Sequence, residues 1–267
     1  MTVADAQPYC GAPPWPGDLW SRWNLDPVLL AALTVAICLY RIGAARSGRS
    51  LGASAQALFY IGWAIGTAAL ISPLCALSVS LFTARVGQHV VLALLAAPLI
   101  AAGKPVWVLS TALGLPVREW IARPGWAALL FAATLWFWHA PAPYAATFSS
   151  VTVYWCMHVT AVGSAVWLWS ALLGDSRSNA LMPVLAGLVS SVQMGLLGAL
   201  ITLTPRTLYA PHALTSAAWG LTPAQDQQLG GSIMWVPGCV VFVVVAMVAL
   251  RRVLDRPQTA TPRWANP

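Results

Sequence analysis

Residues Val79–Ala102 read VSLFTARVGQHVVLALLAAPLIAA, an apolar run carrying one arginine and one histidine. About twenty residues suffice to cross a bilayer at 1.5 Å of rise per residue, so the run is read as a transmembrane helix. Arg85 and His89 stand four residues apart and share one helical face. An arginine near a helix centre costs about 2.5–3.5 kcal/mol on insertion scales, so it is normally turned to the bundle interior and given a partner. Arg85 lies only about 9 Å from the start of the run at that rise. The alternative that it snorkels to the headgroups while His89 merely fills space therefore stays open.

The rest of the chain has the same character. Of its 267 residues, 59% are hydrophobic and 8% charged, far outside the soluble range, so the chain is read as an integral membrane protein. Fifteen tryptophans against six phenylalanines point to lipid interfaces, where indole settles. No basic cluster is interleaved with aromatics, which leaves nucleic-acid binding unsupported. Five cysteines without a CxxC pair provide neither a zinc signature nor a disulfide framework. Met1–Asp26 lacks the basic head and apolar core of a signal peptide and is instead rich in Pro and Trp.

In chain order, residues 1–26 are expected to form an irregular tail with Trp15, Trp20 and Trp23 at an interface. Asp26 and Pro27 supply a cap and a first helical residue. Helix one runs from Pro27 to about Gly43, and helix two from about Ala55 to Leu74 with Gly62 and Gly66 one turn apart, a spacing that lets helices approach closely. Helix three is the opening stretch; VWVLSTALGLP after it is too brief to span. Helix four covers Gly125–His139, and an uncharged loop, Ala140–Ser150, leads to helix five, Val151–Leu173. Helix six covers Leu181–Leu203, and helix seven follows the long loop that ends at Gln228.

The expected fold is thus an all-α membrane protein, a bundle of seven transmembrane helices. The loops after helices one, three and five and the C-terminal tail hold Arg41, Arg46, Arg49, Lys104, Arg118, Arg123, Arg177, Arg251, Arg252, Arg256 and Arg263. The remaining segments hold only Arg22 and Arg206. By the positive-inside rule the N-terminus faces outside and the C-terminus the cytoplasm. Without internal repeats or a linker, the chain divides into a periplasmic tail (1–26), one membrane domain (27–252) and a cytoplasmic tail (253–267).

That orientation sends every histidine to the outer half. His158 lies about 10 Å and His89 about 15 Å below the outer ends of their helices, His139 stands at the mouth of helix four, and His212 lies in a loop, where solvation is the plain reading. Met157, Met194, Met234 and Cys156 fall in the same slab, and imidazole with thioether suits Cu(I). Core filling is the competing role for each methionine. On helix seven Gln227, Gly231 and Met234 share a face, and Gly230–Gly231 admits a close neighbour. Asp226 either caps that helix or, like Asp26, pairs with Arg85. No paired carboxylates, G-x-S-x-G elbow, phosphate loop or HExxH stands in the chain, and Glu119 is its only glutamate, so enzymatic chemistry is not expected.

Four segments carry a likeness: SPLCALSVSLFTARVGQHVVLALLAAPLIAAGKP, LWFWHAPAPYAATF, the Tyr154–His158 helix and DQQLGGSIMWVP. In order and spacing they resemble the seven-helix cytochrome c oxidase assembly factors called CtaG, over about Ala55–Leu250. The resemblance implies a multi-pass bacterial inner-membrane protein that helps make an active haem-copper oxidase, with a part in copper supply. By position, the family's histidines match His89, His139 and His158, its helix-four tryptophan Trp138, and its helix-seven motif Asp226, Gln227, Gly231, Met234 and Trp235. The chain departs from the family where Arg85, Tyr154 and Met157 replace two histidines and an acidic residue. A cation cannot ligate a metal and repels one, so this chain reads as a divergent branch.

The combined expectation is a non-catalytic assembly factor. His89, His158, Met157, Met194 and Met234 would hold copper or dock a partner, and Arg85, Trp138, His139, Tyr154, Asp226, Gln227 and Gly231 would complete the site. An oxidase subunit, a periplasmic copper donor and the lipid bilayer are the expected partners. A b-type haem held by His89 and His158 stays open as an alternative, as does a small-molecule or metal transporter, although transporter repeats are not visible.

Overall fold

The computed structural model describes residues 7–46, 51–114, 123–174 and 181–254. Arg49, Arg118, Glu119, Asp175, Arg177, Arg256 and Arg263 lie outside them, as do residues 1–6 and 255–267 of the two tails. Every regular element among the described residues is helical. They are α1 (Pro27–Arg46), α2 (Ala53–Ile71), α3 (Pro73–Ser80), α4 (Phe82–Val90), a π-helical turn (Val91–Ala96), α5 (Ala97–Ala102), α6 (Pro105–Ala112), α7 (Pro124–His139), α8 (Pro141–Ser149), α9 (Val151–Leu173), α10 (Leu181–Leu203) and α11 (Pro223–Leu254). Six helical stretches are long and apolar enough to cross a membrane: Pro27–Arg46, Ala53–Ile71, Phe82–Ala102, Val151–Leu173, Leu181–Leu203 and Pro223–Val248. The expected fourth span, α7, has 16 residues, about 24 Å against a hydrocarbon core of about 30 Å.

The decisive stretch is not one helix. Ser72 caps α3 through its side chain and Pro73 starts it, so Val79 and Ser80 belong to a short helix of their own. Leu81 is extended (φ −127°, ψ 130°), and the span begins at Phe82. Farther along, Pro98 has no N–H and its ring clashes with the carbonyl one turn back. Just before it the helix widens into the π turn, and the Ala93 carbonyl there accepts the indole N–H of Trp169 at 2.7 Å. Gly62 of α2 lies against this segment: a Cβ there would stand 2.8 Å from the Ala96 carbonyl oxygen.

Most of the core lies among α4, α7, α8, α9, α10 and α11, around Phe82, Phe131, Leu168, Trp169, Met194 and Phe242. A smaller core joins α1, α2, α5 and α6, where Tyr40 stacks on Phe59 and donates to the Gly103 carbonyl at 2.8 Å. Gly231 permits the contact of α11 with α10, since a Cβ there would meet the Gly198 carbonyl oxygen at 2.8 Å. Its neighbour Gly230 seats the Phe82 ring.

Three expectations are overturned at the end of the bundle that holds the starts of α4 and α9. Residues 141–149, read as loop, form α8, because Pro141 starts a helix and holds Ala140 extended. Cys10 and Cys75, read as outside any disulfide framework, are bonded to each other across 65 residues of sequence. A spacing that long carries no local signature. The loop between α10 and α11, read as solvated around His212, folds into two 3-10 turns, Ala210–His212 and Ser216–Trp219, and buries His212 to 2% exposure. The tail before α1 also lies on this end. Asn24 bonds to Ile71 backbone, Ser80 to the Pro14 carbonyl, and Tyr9 to Asp26. Trp15, Trp20 and Trp23 remain exposed.

Candidate functional site

The site is built on the first two turns of α4, and its position is set by α11. The Asp226 carboxylate accepts the backbone N–H groups of Phe82 (2.8 Å) and Thr83 (2.9 Å), and Thr83 Oγ1 donates to the Asp226 carbonyl at 2.7 Å. A buried carboxylate is thereby held on the positive end of α4, where unpaired N–H groups and the helix dipole favour it. Asp226 is not the ion-pair partner of Arg85. Asp26, the other candidate, is engaged by Tyr9 and by the N–H of Val28 at 2.9 Å, as the cap of α1.

Arg85 is 2% exposed and has no carboxylate partner among the described residues. Its Nη2 donates to Thr147 Oγ1 at 2.7 Å and lies 3.8 Å from Met157 Sδ, while Nε has no hydrogen-bond partner. The guanidinium carbon stands 4.5 Å from the Phe148 ring centroid, 5.3 Å from Tyr144 and 5.6 Å from Tyr154. A desolvated cation over an aromatic face gains up to about 2 kcal/mol, so three rings and one hydroxyl stand where an acid was expected. α8 supplies two of those rings and the hydroxyl.

The same helix fixes His212. The Tyr144 hydroxyl and His212 Nε2 are 2.6 Å apart. Burial raises the Tyr144 hydroxyl above its usual range, and burial, then the nearby Arg85 charge, pushes the His212 imidazole down to about 3. Tyr144 therefore stays protonated and donates to a neutral His212. Tyr209 closes the layer, stacked on Phe82 with centroids 4.0 Å apart and donating to the His139 carbonyl.

Deeper in, α4 and α9 bring His89 and His158 together, with ring centroids 5.1 Å apart. Once the span is known to begin at Phe82, His89 and His158 are each seven residues, about 10 Å, from the starts of their helices, so equal depth accounts for the meeting. His158 Nδ1 bonds to the Tyr154 carbonyl at 3.1 Å, which places the ring proton there and leaves Nε2 with its lone pair. Nε2 of His158 and Nε2 of His89 are both buried and without a hydrogen-bond partner. Tyr154 covers the pair, its ring 4.3 Å from that of His158.

Beside the histidines is a cavity of about 60 Å³, lined by His89, Trp138, His139, Tyr144, Met157, Met194 and Met234 among mainly apolar residues. Among the described residues no three of His, Cys, Asp and Glu lie close enough to hold a metal ion. An ion bound by His89 and His158 would have to draw further ligands from sulfur, and two imidazoles with thioethers are a donor set that Cu(I) accepts.

The expected residues divide accordingly. Met157, Met194 and Met234 line the cavity with His89 and His139, Trp138 borders it while its indole N–H bonds Thr160, and Tyr154 and His158 adjoin. Asp226, Gln227 and Gly231 do not line it. Gln227 accepts from the Leu208 N–H at 2.6 Å and donates to the Ile201 and Arg206 carbonyls, so it braces the loop between α10 and α11. Tyr144, Thr147 and Phe148 fall in APAPYAATF, a segment whose uncharged, proline-containing composition predicts a loop and marks none of the three. Gln88, which no motif in the sequence marks, is 1% exposed and donates to the Ala69 carbonyl at 2.7 Å.

No curated protein and no solved structure matches the chain. A family model does, that of the cytochrome c oxidase caa3 assembly factor (Caa3_CtaG), over residues 37–256. That match spans all the helices that build the histidine pair, the arginine cage and the cavity, and by it the chain belongs to the cytochrome c oxidase caa3 assembly factor family.

Proposed function

We propose that this chain is a seven-span inner-membrane assembly factor that receives Cu(I) at its extracytoplasmic end and presents it to a haem-copper oxidase subunit. The observation that carries the reading is the pair of buried, unpartnered imidazole nitrogens of His89 and His158 beside a cavity bordered by three thioethers. A buried acceptor without a partner costs about 1–3 kcal/mol, and a transiently bound soft cation would relieve that cost. Copper is cargo in this reading. Arg85 keeps the cage beside it positively charged, which favours release over tight retention.

Two features support the topology. Thr147 of α8 meets Arg85 near the start of α4, while α5 ends a full span away at Ala102. A return of the chain between those ends through α7, which packs on α9 and α10, supports a seventh span. A Cys10–Cys75 disulfide supports an Arg85 end on the oxidising side, and the basic loops at the other end support the same orientation.

The test is copper content after anaerobic Cu(I) loading of purified protein, wild type against His89→Ala/His158→Ala. Near-stoichiometric copper in the wild type with a loss of tenfold or more in the double variant is expected. Copper at trace level in both removes the cargo.

A further inference from the structure

Cys10 and Cys75 lie directly over the histidine pair. Cys10 Sγ is 3.3 Å and Cys75 Sγ 3.8 Å from the Tyr154 hydroxyl, and the Tyr154 ring lies 4.3 Å from that of His158. His158 in turn lies 5.1 Å from His89, ring centroid to ring centroid. Two sulfurs, a phenol and two imidazoles thus form a continuous column from the outer rim to the cavity. Cys75 is fully buried, whereas Cys10 is half-buried. The tail is also held by contacts that do not need the disulfide. Asn24 bonds to Ile71 backbone, Ser80 donates to the Pro14 carbonyl at 3.1 Å, and Tyr9 stacks on Tyr154 at 4.8 Å and bonds Asp26. If the bond opens, these contacts keep the two thiols facing each other.

We propose that reduced Cys10 and Cys75 form a two-thiolate Cu(I) acceptor at the outer rim, from which the ion passes beside Tyr154 to His158 and His89. The proposal rests on the copper reading above and supplies its point of uptake. An extracytoplasmic dithiol is the reductant. Its thiolate attacks Cys10 Sγ, the Cys10–Cys75 bond breaks with Cys75 as leaving group, and the second thiol of the reductant resolves the mixed disulfide. The reductant leaves as its own disulfide, and two electrons and two protons have passed to Cys10 and Cys75. Cu(I) then displaces both thiol protons as two copper–sulfur bonds form, with no change in its oxidation state. Soft thiolates select this ion.

The experiment uses the full chain with Cys38, Cys156 and Cys239, the three unpaired cysteines, changed to Ala. Copper bound per chain is measured against a Cu(I) chelator before and after treatment with a dithiol, with alkylation and mass measurement reporting whether the bond opened. Reduction is expected to expose two alkylatable thiols and to add one Cu(I) per chain, with a copper–sulfur X-ray absorption signature. Adding Cys10→Ser/Cys75→Ser should abolish that increment. His89→Ala/His158→Ala should leave the increment in place while removing the inner copper, so the two sites fail separately. Equal copper before and after reduction, a bond that no dithiol opens in the folded protein, or an increment that survives loss of both cysteines overturns the proposal.

Discussion

Replacing Asp226 by Ala is expected to destabilise the bundle more than removing either of the other described carboxylates, Asp18 and Asp26. Its side chain is fully buried and holds two backbone N–H groups, those of Phe82 at 2.8 Å and Thr83 at 2.9 Å. Hydrogen bonds to a charged acceptor contribute about 1.5–3 kcal/mol each. Loss of both, with the orphaned N–H groups of α4 partly rehydrated, gives a loss of about 3–5 kcal/mol. Asp226→Asn keeps one acceptor oxygen and should cost about half as much. The Thr83 hydroxyl bond to the Asp226 backbone survives both changes. The assay is reversible unfolding in mixed micelles, followed by tryptophan fluorescence. A loss below about 1 kcal/mol for Asp226→Ala would refute the capping argument. Recovery of stability on exchanging the charges of Arg85 and Asp226 would refute it more directly, since that result requires the ion pair that the structure does not contain.

Three further outcomes follow from the same geometry. Thr147→Val should cost about 2–3 kcal/mol in the same assay, because it removes the oxygen that accepts from the Arg85 guanidinium, while Thr147→Ser should stay within about 1 kcal/mol of wild type. Stability should fall as pH is lowered from about 6.5 toward about 3, because the unfolded chain protonates His212 first while burial keeps the folded imidazole neutral to about 3. The unfolding midpoint of His212→Gln should show less of this acid limb. Gly231→Ala should lower stability by about 1–3 kcal/mol by forcing α11 away from the Gly198 carbonyl. Gly87→Ala, which meets nothing within 4 Å, serves as the control with no loss.

The individual helices were readable because hydropathy and punctuation are local. Val151–Leu173 and Leu181–Leu203 fall where apolar length and the flanking residues place them, and Asp26–Pro27 starts α1 as its chemistry requires. Arg85, His89, His158 and the three methionines were also visible, since ionisable and soft side chains stand out in so apolar a chain. The break at Leu81 was not, because no proline or glycine marks it and the capping carboxylate comes from Asp226 on the last helix. Nor was α8, whose uncharged APAPYAATF has the composition of a loop until Pro141 is seen to start a turn.

Partnership lay beyond the sequence for a physical reason. Arg85 requires something to offset its buried charge, but many groups can do so, and neither periodicity nor spacing selects a hydroxyl and three rings from α8 and α9 over an acid. Cys10 and Cys75, 65 positions apart, and Tyr144 and His212, 68 apart, are likewise joined only by the way the helices stack. Composition and period therefore determined that this is a membrane-spanning helical protein with costly groups in one slab. Packing at the end of the bundle that holds the starts of α4 and α9 decided which of those groups meet, because contact between distant segments depends on the shape of every helix between them.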